Sequence, residues 1–273
     1  MKRRLRILTA GFAAAVLLVL YPFFADLYNS RIQEQRASSN TEAADNLPDE
    51  ELEEELEKAA LWNEILSGAS VEISCFEGMT EEEIYESCLN LNGDGVMGSV
   101  EIPKISVSLP IYHYATEDVL KEGIGHMEST ALPVGGEGTR CVLTGHRGLP
   151  GSRLFTYLDE VEVGDYFFLH VLGETLAYEV VEIEVVEPED VESITAESGR
   201  DLCTLVTCTP YGVNTHRLLV TGERTEYSEE IYEEAGEDSQ KFFWRDYLLL
   251  YIAAGELVLL FWMRKRIRKN WEE

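Results

Sequence analysis

Two apolar runs, each flanked on its outer side by basic residues, constrain this chain more than any other feature. The first, residues 7–25, holds 19 uncharged residues between Arg6 and Asp26. As a helix it is long enough to cross roughly 30 Å of hydrocarbon. Lys2, Arg3, Arg4 and Arg6 precede it. A cleaved signal peptide shares the charged start and the apolar middle. This run, however, ends in Tyr21, Pro22, Phe23, Phe24 and Ala25, bulky where a cleavage site wants small residues. The pattern favours an uncleaved anchor. The second run, residues 247–263, holds 17 residues between Asp246 and Arg264, near the short limit for a span. Arg264, Lys265, Arg266, Arg268 and Lys269 follow it, a tail that a buried core helix would not need. Basic residues stay on the cytoplasmic side of membrane helices. Both termini are therefore expected in the cytoplasm, with everything between the two spans outside. Glu256 falls near the middle of the second run, and neither run holds a basic residue to pair with it. It is expected to be protonated, or hydrogen-bonded to a neighbouring helix.

The chain carries 22 basic and 51 acidic residues, a net charge of −29, yet 45% of it is apolar and 10% aromatic. That is too apolar for a disordered acidic tail and enough to bury a core. The outer segment, residues 26–246, holds 48 of the acidic residues but only 13 of the basic ones. Such a surface keeps a domain soluble and steers basic partners at low salt. It excludes nucleic acid, because phosphate binding needs basic clusters and the dense ones sit only at the chain ends. Five cysteines are too few and scattered for a disulfide scaffold, and none is in a C-x-x-C pair. No histidine has metal-ligand spacing near them, so no metal and no cofactor are expected.

The outer segment divides by pattern. Residues 29–46 are polar and read as a linker. A helix is expected over 48–66, with Pro48 and three acidic residues at its start and Gly68 at its stop. Leu52, Leu56, Ala59 and Leu66 form its apolar stripe, and Glu53, Glu54 and Glu55 its solvated face. A second helix starts at Thr80, where Thr80 and Glu83 make a capping box, with Ile84, Cys88 and Leu91 on one face. Asn92, Gly93, Asp94 and Gly95 break the chain. Short strands follow over 100–102, 107–112, 140–144, 166–171, 176–186, 202–207 and 216–221. Their length and spacing suggest a closed barrel or a sandwich. Residues 223–240 are acidic without apolar pattern and read as a linker back to the membrane.

The most informative stretch runs from Thr204 to Arg217. A strand ends at Cys208, turn residues occupy 210–214, and another strand starts near Thr215. A hairpin of this kind brings Arg217 beside Cys208. A free thiol is only a few per cent thiolate at neutral pH, and a neighbouring cation raises that fraction. Arginine is also a strong fixed donor for a developing oxyanion. Cys88, Cys141 and Cys203 sit in apolar periodicity and read as buried structural residues. The second element is Leu143, Thr144, Gly145, His146, Arg147, Gly148, Leu149 and Pro150. Here a strand ends and holds His146 at the head of a loop, where an imidazole can donate a proton to an amine leaving group. His216 competes for that role, but it neighbours Arg217 on a strand, so the two point to opposite faces. His113, His126 and His170 lack a comparable setting.

Residues 97–224 resemble a sortase, and within sortases the pilin-polymerising class C group. The resemblance rests on residues 97–105, 123–127, 132–136, 143–150, Leu154 and Phe155, and 204–223. It implies a mostly β fold, an eight-stranded barrel with short helices flanked by two transmembrane helices. The expected division is a basic tail 1–6, a span 7–25, a linker with N-terminal helices and a lid region 26–95, a catalytic barrel 96–224, an acidic linker 225–246, a span 247–263 and a basic tail 264–273. Cys208 would be the nucleophile, His146 the general acid and base, and Arg217 the oxyanion donor. Thr144, Thr207 and Asn214 would bind substrate or support the site. The implied enzyme sits on the outer face of a Gram-positive cell membrane. It cleaves an LPXTG-like sorting signal between Thr and Gly through a thioacyl-enzyme. The acceptor is a lysine amine of another pilin subunit.

One departure concerns the lid. Class C enzymes often carry an Asp-Pro-aromatic motif before the barrel. The counterpart here is Ser74, Cys75 and Phe76, which keeps the aromatic plug and lacks the Asp. Such a lid is expected to be weakly held or absent. Cys75 is then an unpaired apolar residue, or bridges to Cys88 or Cys208 in an oxidising exterior. Two other readings stand beside the pilin enzyme. One is a sortase that attaches surface proteins to a peptidoglycan amine. The other, from a different class, is a catalytically silent membrane-bound adhesin or scaffold.

Overall fold

The computed structural model describes residues 2–68, 76 and 78–237, together with 251–252, 255–258 and 262. Most of the second apolar run therefore lies outside the described residues. Its described pieces, Glu256 among them, are helical. The first run lies in a helix, α1 (Lys2–Asp45), with Pro22 inside it. The ring of a proline clashes with the carbonyl four residues back and removes one ladder hydrogen bond. The helix bends by 40° between Ala10–Leu18 and Leu20–Asp45, at that point. Among the described residues no single helix is long and apolar enough to cross a membrane, though this bent pair meets length and composition together.

The expected linker over 29–46 is instead the second half of α1. Gln33, Ala37, Asn40 and Ala44 form a buried stripe at helical spacing. Alanines let the helix approach closely, and the amides bond to the barrel. Gln33 Nε2 donates to the Glu122 carbonyl at 3.0 Å and to Ser152 Oγ at 3.1 Å. Asn40 Nδ2 donates to the Val96 carbonyl at 2.9 Å. Asn29 Nδ2 reaches the Gly151 carbonyl at 2.7 Å. Buried amides that are satisfied in this way cost little and fix the helix in register.

The helix α2 (Asp49–Leu66) starts after Pro48, with Asp49, Glu50 and Glu51 at its positive end. Its buried face is rotated from the expected stripe. Ala59, Trp62 and Asn63 are buried, whereas Leu56 and Leu66 are exposed. Asn63 explains the rotation. Its Oδ1 accepts from the Leu132 amide at 2.7 Å and its Nδ2 donates to the Leu132 carbonyl at 3.4 Å. Glu55 turns inward to accept from the Leu89 amide, while Glu53 and Glu54 stay exposed. The helix α3 (Glu81–Ser87) carries the expected capping box. Thr80 N donates to Glu83 Oε2 at 2.8 Å, and Glu83 N donates to Thr80 Oγ1 at 3.2 Å. Donation from Thr80 N and Thr80 Oγ1 to its Oε2 holds the Glu83 carboxyl below its ordinary range.

Eight strands close a barrel: β1 (Val96–Ile102), β2 (Val107–Tyr112), β3 (Ile124–His126), β4 (Thr139–Thr144), β5 (Tyr166–Val171), β6 (Glu174–Val186), β7 (Asp201–Thr209) and β8 (His216–Thr225). Their order around it is β1-β2-β3-β4-β7-β8-β6-β5, with β5 returning to β1. Two seams, β2 with β3 and β4 with β7, are parallel, and the rest are antiparallel. The eight-stranded barrel that the resemblance implies is present; the seven strands read from pattern omit β3, which is three residues long, and the short helix α4 (Glu117–Glu122) before it. Alternate residues fill the interior: Val100, Ile102, Leu109, Ile111, Leu143, Phe167, Leu169, Tyr178, Leu205 and Val220 belong to one buried cluster. A smaller cluster lies on the opposite face of the sheet. Val142, Val206 and Leu219 pack there beneath Met127, Val186, Val191 and Ile194.

The expected linker after the barrel is also partly structured, as α5 (Glu229–Glu237). Tyr227 and Tyr232 pack edge-on against Phe168, with ring centres 6.2 and 5.1 Å away. Tyr232 OH donates to Glu101 at 3.1 Å. Two aromatic anchors suffice where acidic composition suggested none.

Close packing inside the barrel yields a stability test. The Phe167 and Tyr178 rings stack 5.4 Å apart at 8° and lie across Gly222. A Cβ at Gly222 would meet Phe167 Cε1 at 2.5 Å and Tyr178 Cβ at 2.9 Å. Neither ring has room to retreat, and overpacking of this kind costs ~1–3 kcal/mol. Gly222→Ala is expected to lower the thermal midpoint accordingly. An unchanged melting curve would show that the stacked rings can part.

Candidate active site

The site is assembled by strand register. Strand β7 pairs with β8 antiparallel, and Cys208 lies opposite Arg217. The turn between them is tight: Val213 N and Asn214 N both donate to the Pro210 carbonyl at 3.0 Å. Asn214 adopts φ +61°, a left-handed position that asparagine tolerates. On its other side β7 pairs with β4 in parallel, the last pair being Thr144 with Val206. The alignment continues past the strand end. Gly145 N donates to the Val206 carbonyl at 3.0 Å, and Thr207 Oγ1 donates to the Gly145 carbonyl at 2.8 Å. Arg147 Nη1 then donates to Thr209 Oγ1 at 3.1 Å. His146 and Cys208 are the residues between these contacts. Cys208 is thus flanked by His146 on one strand end and Arg217 on the other.

Alternation fixes the face. Thr207 is buried at 1% exposure and belongs to the interior, so Cys208 belongs to the outer face with Val206. Arg217 shares that face with Leu219, its neighbour two residues on. The cysteine, the arginine and the apolar patch of Val142, Val206 and Leu219 therefore form one continuous outer strip. Gly145 lets the loop turn off the sheet at this point. A Cβ there would lie 2.6 Å from Ile124 Cδ1 and 2.8 Å from the Phe155 ring, so only glycine fits.

The sulfur of Cys208 is free and half-buried. Ser74 and Cys75, and with them the bridges expected of Cys75, lie outside the described residues. Phe76 is buried in the main core cluster. Cys88, Cys141 and Cys203 are all buried, at 0–3% exposure. Cys141 and Cys203 face each other across β4 and β7 inside the barrel. His146 is half-buried, with Nε2 3.7 Å from Glu117 Oε2 at the start of α4. The other four histidines are held elsewhere. His113 faces the carbonyls of Gly95, Tyr85 and Cys88 at 2.9–3.0 Å, and burial pushes its imidazole down. His126 lies between Tyr85 OH and the Ala131 carbonyl, each at 2.8 Å. His170 pairs with Glu101 at 3.0 Å. His216, the competing candidate, contacts Thr215 and Glu187.

Arg217 Nη1 donates to the carbonyls of Asn214 and His216, at 3.4 and 3.0 Å. Asn214 thus supports the guanidinium through its backbone. Thr207 supports the loop carrying His146, and Thr144 sits at the last β4–β7 pair. Sequence reasoning missed Glu117 and Arg147. A charged residue next to the loop histidine was the available signal for Arg147. Among the described residues no group of His, Cys, Asp and Glu is arranged to hold a metal.

The fold and sequence have known relatives. A Sortase domain model matches residues 100–225. Sortase D of Bacillus subtilis is 32% identical over 130 residues, which cover 46% of this chain and 63% of that protein. Sortase A of Streptococcus agalactiae is 29% identical over 184 residues, covering 66% and 73%. Among solved structures, sortase C1 of Streptococcus agalactiae is 39% identical with a TM-score of 0.65, covering 71% of this chain and 100% of that one. Sortase C-1 of Actinomyces oris is 46% identical with a TM-score of 0.58, covering 64% and 99%. Clostridium perfringens sortase C, solved with the C-terminal cell wall sorting motif, is 39% identical with a TM-score of 0.61, covering 71% and 99%. The barrel, its outer thiol and these likenesses lead to one conclusion: the chain belongs to the sortase family of cysteine transpeptidases and to its class C branch.

Proposed function

We propose that this protein is a membrane-anchored transpeptidase that joins pilin subunits through an LPXTG-like sorting signal. The observation that supports the reading is the pairing of Cys208 with Arg217 across β7 and β8, beside the end of the β4–β7 seam from which the loop of His146 departs. The Cys208 thiolate attacks the carbonyl carbon of the signal's Thr. Arg217 stabilises the oxyanion that develops there. His146 gives a proton to the departing Gly amine as the C–N bond breaks, leaving a thioester on Cys208. A lysine amine then attacks the thioester and passes its proton to His146. The thiolate leaves, and an isopeptide bond remains. The apolar run inside α1, with its basic start, supports anchoring of the N-terminus in a membrane.

The choice of amine separates the pilin reading from wall attachment. Full-length protein in detergent, given an LPXTG-type peptide and equal concentrations of a pilin-lysine peptide and a peptidoglycan-precursor amine, is expected to yield chiefly the lysine isopeptide by mass spectrometry. Product on the wall amine alone would reassign it as a wall-anchoring sortase. No cleavage at all would end the enzymatic reading.

A further inference from the structure

Arg147 is the residue next to His146, and its side chain is only 6% exposed. Arginine is rarely buried so deeply unless it is paired. Here all edges of the guanidinium are used. Nε donates to the Thr156 carbonyl at 3.2 Å, Nη1 donates to Thr209 Oγ1 at 3.1 Å, and Nη2 pairs with Asp159. The flat face lies 5.7 Å from the centre of the Tyr211 ring. The same loop is tied again where Gly148 N donates to Thr156 Oγ1 at 3.1 Å. These partners come from two separate stretches of chain, the turn at 156–159 and the end of β7 with the loop that follows it.

Packing alone does not call for a cation here, because apolar residues of similar volume generally serve at least as well in a buried site. What a planar fork adds is a fixed spacing between the groups it bonds. On one side of Arg147 is His146. On the other side of its bond is Thr209, the neighbour of Cys208. We propose that Arg147 is a positioning residue, which sets the separation of the His146 imidazole and the Cys208 sulfur. The proposal rests on the transpeptidase reading given above for its consequence in turnover, but not for its geometry.

The test uses the full-length protein in detergent with Arg147→Lys and Thr209→Val. Lysine keeps the charge and loses the fork; valine removes only the strand-end partner. Three quantities are read: kcat and KM on an LPXTG-type peptide, the rate at which iodoacetamide labels Cys208 at neutral pH, mapped by mass spectrometry, and the thermal midpoint. Misplacing reacting groups by about 1 Å costs up to ~10²-fold. Arg147→Lys is therefore expected to lower kcat by roughly tenfold or more, with KM held within about threefold. Labelling of Cys208 slows in parallel, since the imidazole no longer sits beside the thiol. Thr209→Val produces a smaller loss in the same direction, and the double variant is no worse than Arg147→Lys, because both remove one interaction. If kcat and labelling stay within about twofold of the parent in both variants while the melting point falls, Arg147 serves stability alone and the proposal is overturned. Should Arg147→Lys fail to fold, Thr209→Val decides. Should the parent protein cleave no sorting-type peptide, the functional reading fails, while the labelling comparison still decides the positioning role.

Discussion

Cys208→Ala is expected to remove sorting-signal cleavage entirely while the barrel stays folded. The thiol makes and breaks the covalent bond to the acyl group, and no neighbour can replace it. The remaining described cysteines are buried, with Cys141 and Cys203 facing the interior. In enzymes that act through a covalent intermediate, loss of the nucleophile lowers the rate by roughly 10⁴-fold or more, below detection in a peptide assay. The structural cost is small. Cys208 is half-buried at a strand end and belongs to neither core cluster. A change of less than about 1 kcal/mol in stability is expected. Peptide cleavage followed by chromatography, alongside a thermal melt, checks both halves. Normal turnover by a folded Cys208→Ala protein would place the chemistry elsewhere.

Arg217→Lys is expected to have the next largest effect, a fall of ~10²–10³ in kcat. Cys208 and Arg217 are opposite each other in an antiparallel pair, so the guanidinium begins from a fixed point beside the sulfur. Its Nη1 is drawn back onto the turn carbonyls of Asn214 and His216, which orients the planar group. An ammonium keeps the charge but loses the plane and the multiple donors, and its flexible stem is not held by the turn in the same way. The loss should fall on kcat more than on KM, because the oxyanion exists only in the transition state. Steady-state kinetics on the same peptide gives the split. A kcat within a few-fold of the parent would show that charge alone is sufficient, and would remove the geometric role assigned to the fork.

The local devices of this chain were readable before its structure. Thr80 and Glu83 announce a helix start by chemistry that acts within one turn. The turn between Cys208 and Arg217 fixes a two-strand register within ten residues, so that pairing was legible too. What escaped notice depends on partners remote in sequence. The stripe of Gln33, Ala37, Asn40 and Ala44 has helical spacing but no hydrophobic signal, because its amides are satisfied by the barrel. Leu56 looked like a core residue until Asn63, bonded to Leu132 across 69 residues, rotated the helix away from it. Arg147 reads as an ordinary loop cation, and only the fold brings Thr209 and Asp159 to it. The resemblance pointed to Cys208, His146 and Arg217, and to Thr207 and Asn214 beside them, but not to Arg147.

The parallel seam between β4 and β7 has a consequence for the order of events. Gly145 and Thr207, which align the two strand ends, are 62 residues apart in the chain. Seams joined across such distances close slowly and late. Until that seam forms, the sulfur is therefore separated from the loop that carries the imidazole. Chemical reactivity arrives only with the finished barrel, so a partly folded chain holds no armed thiol.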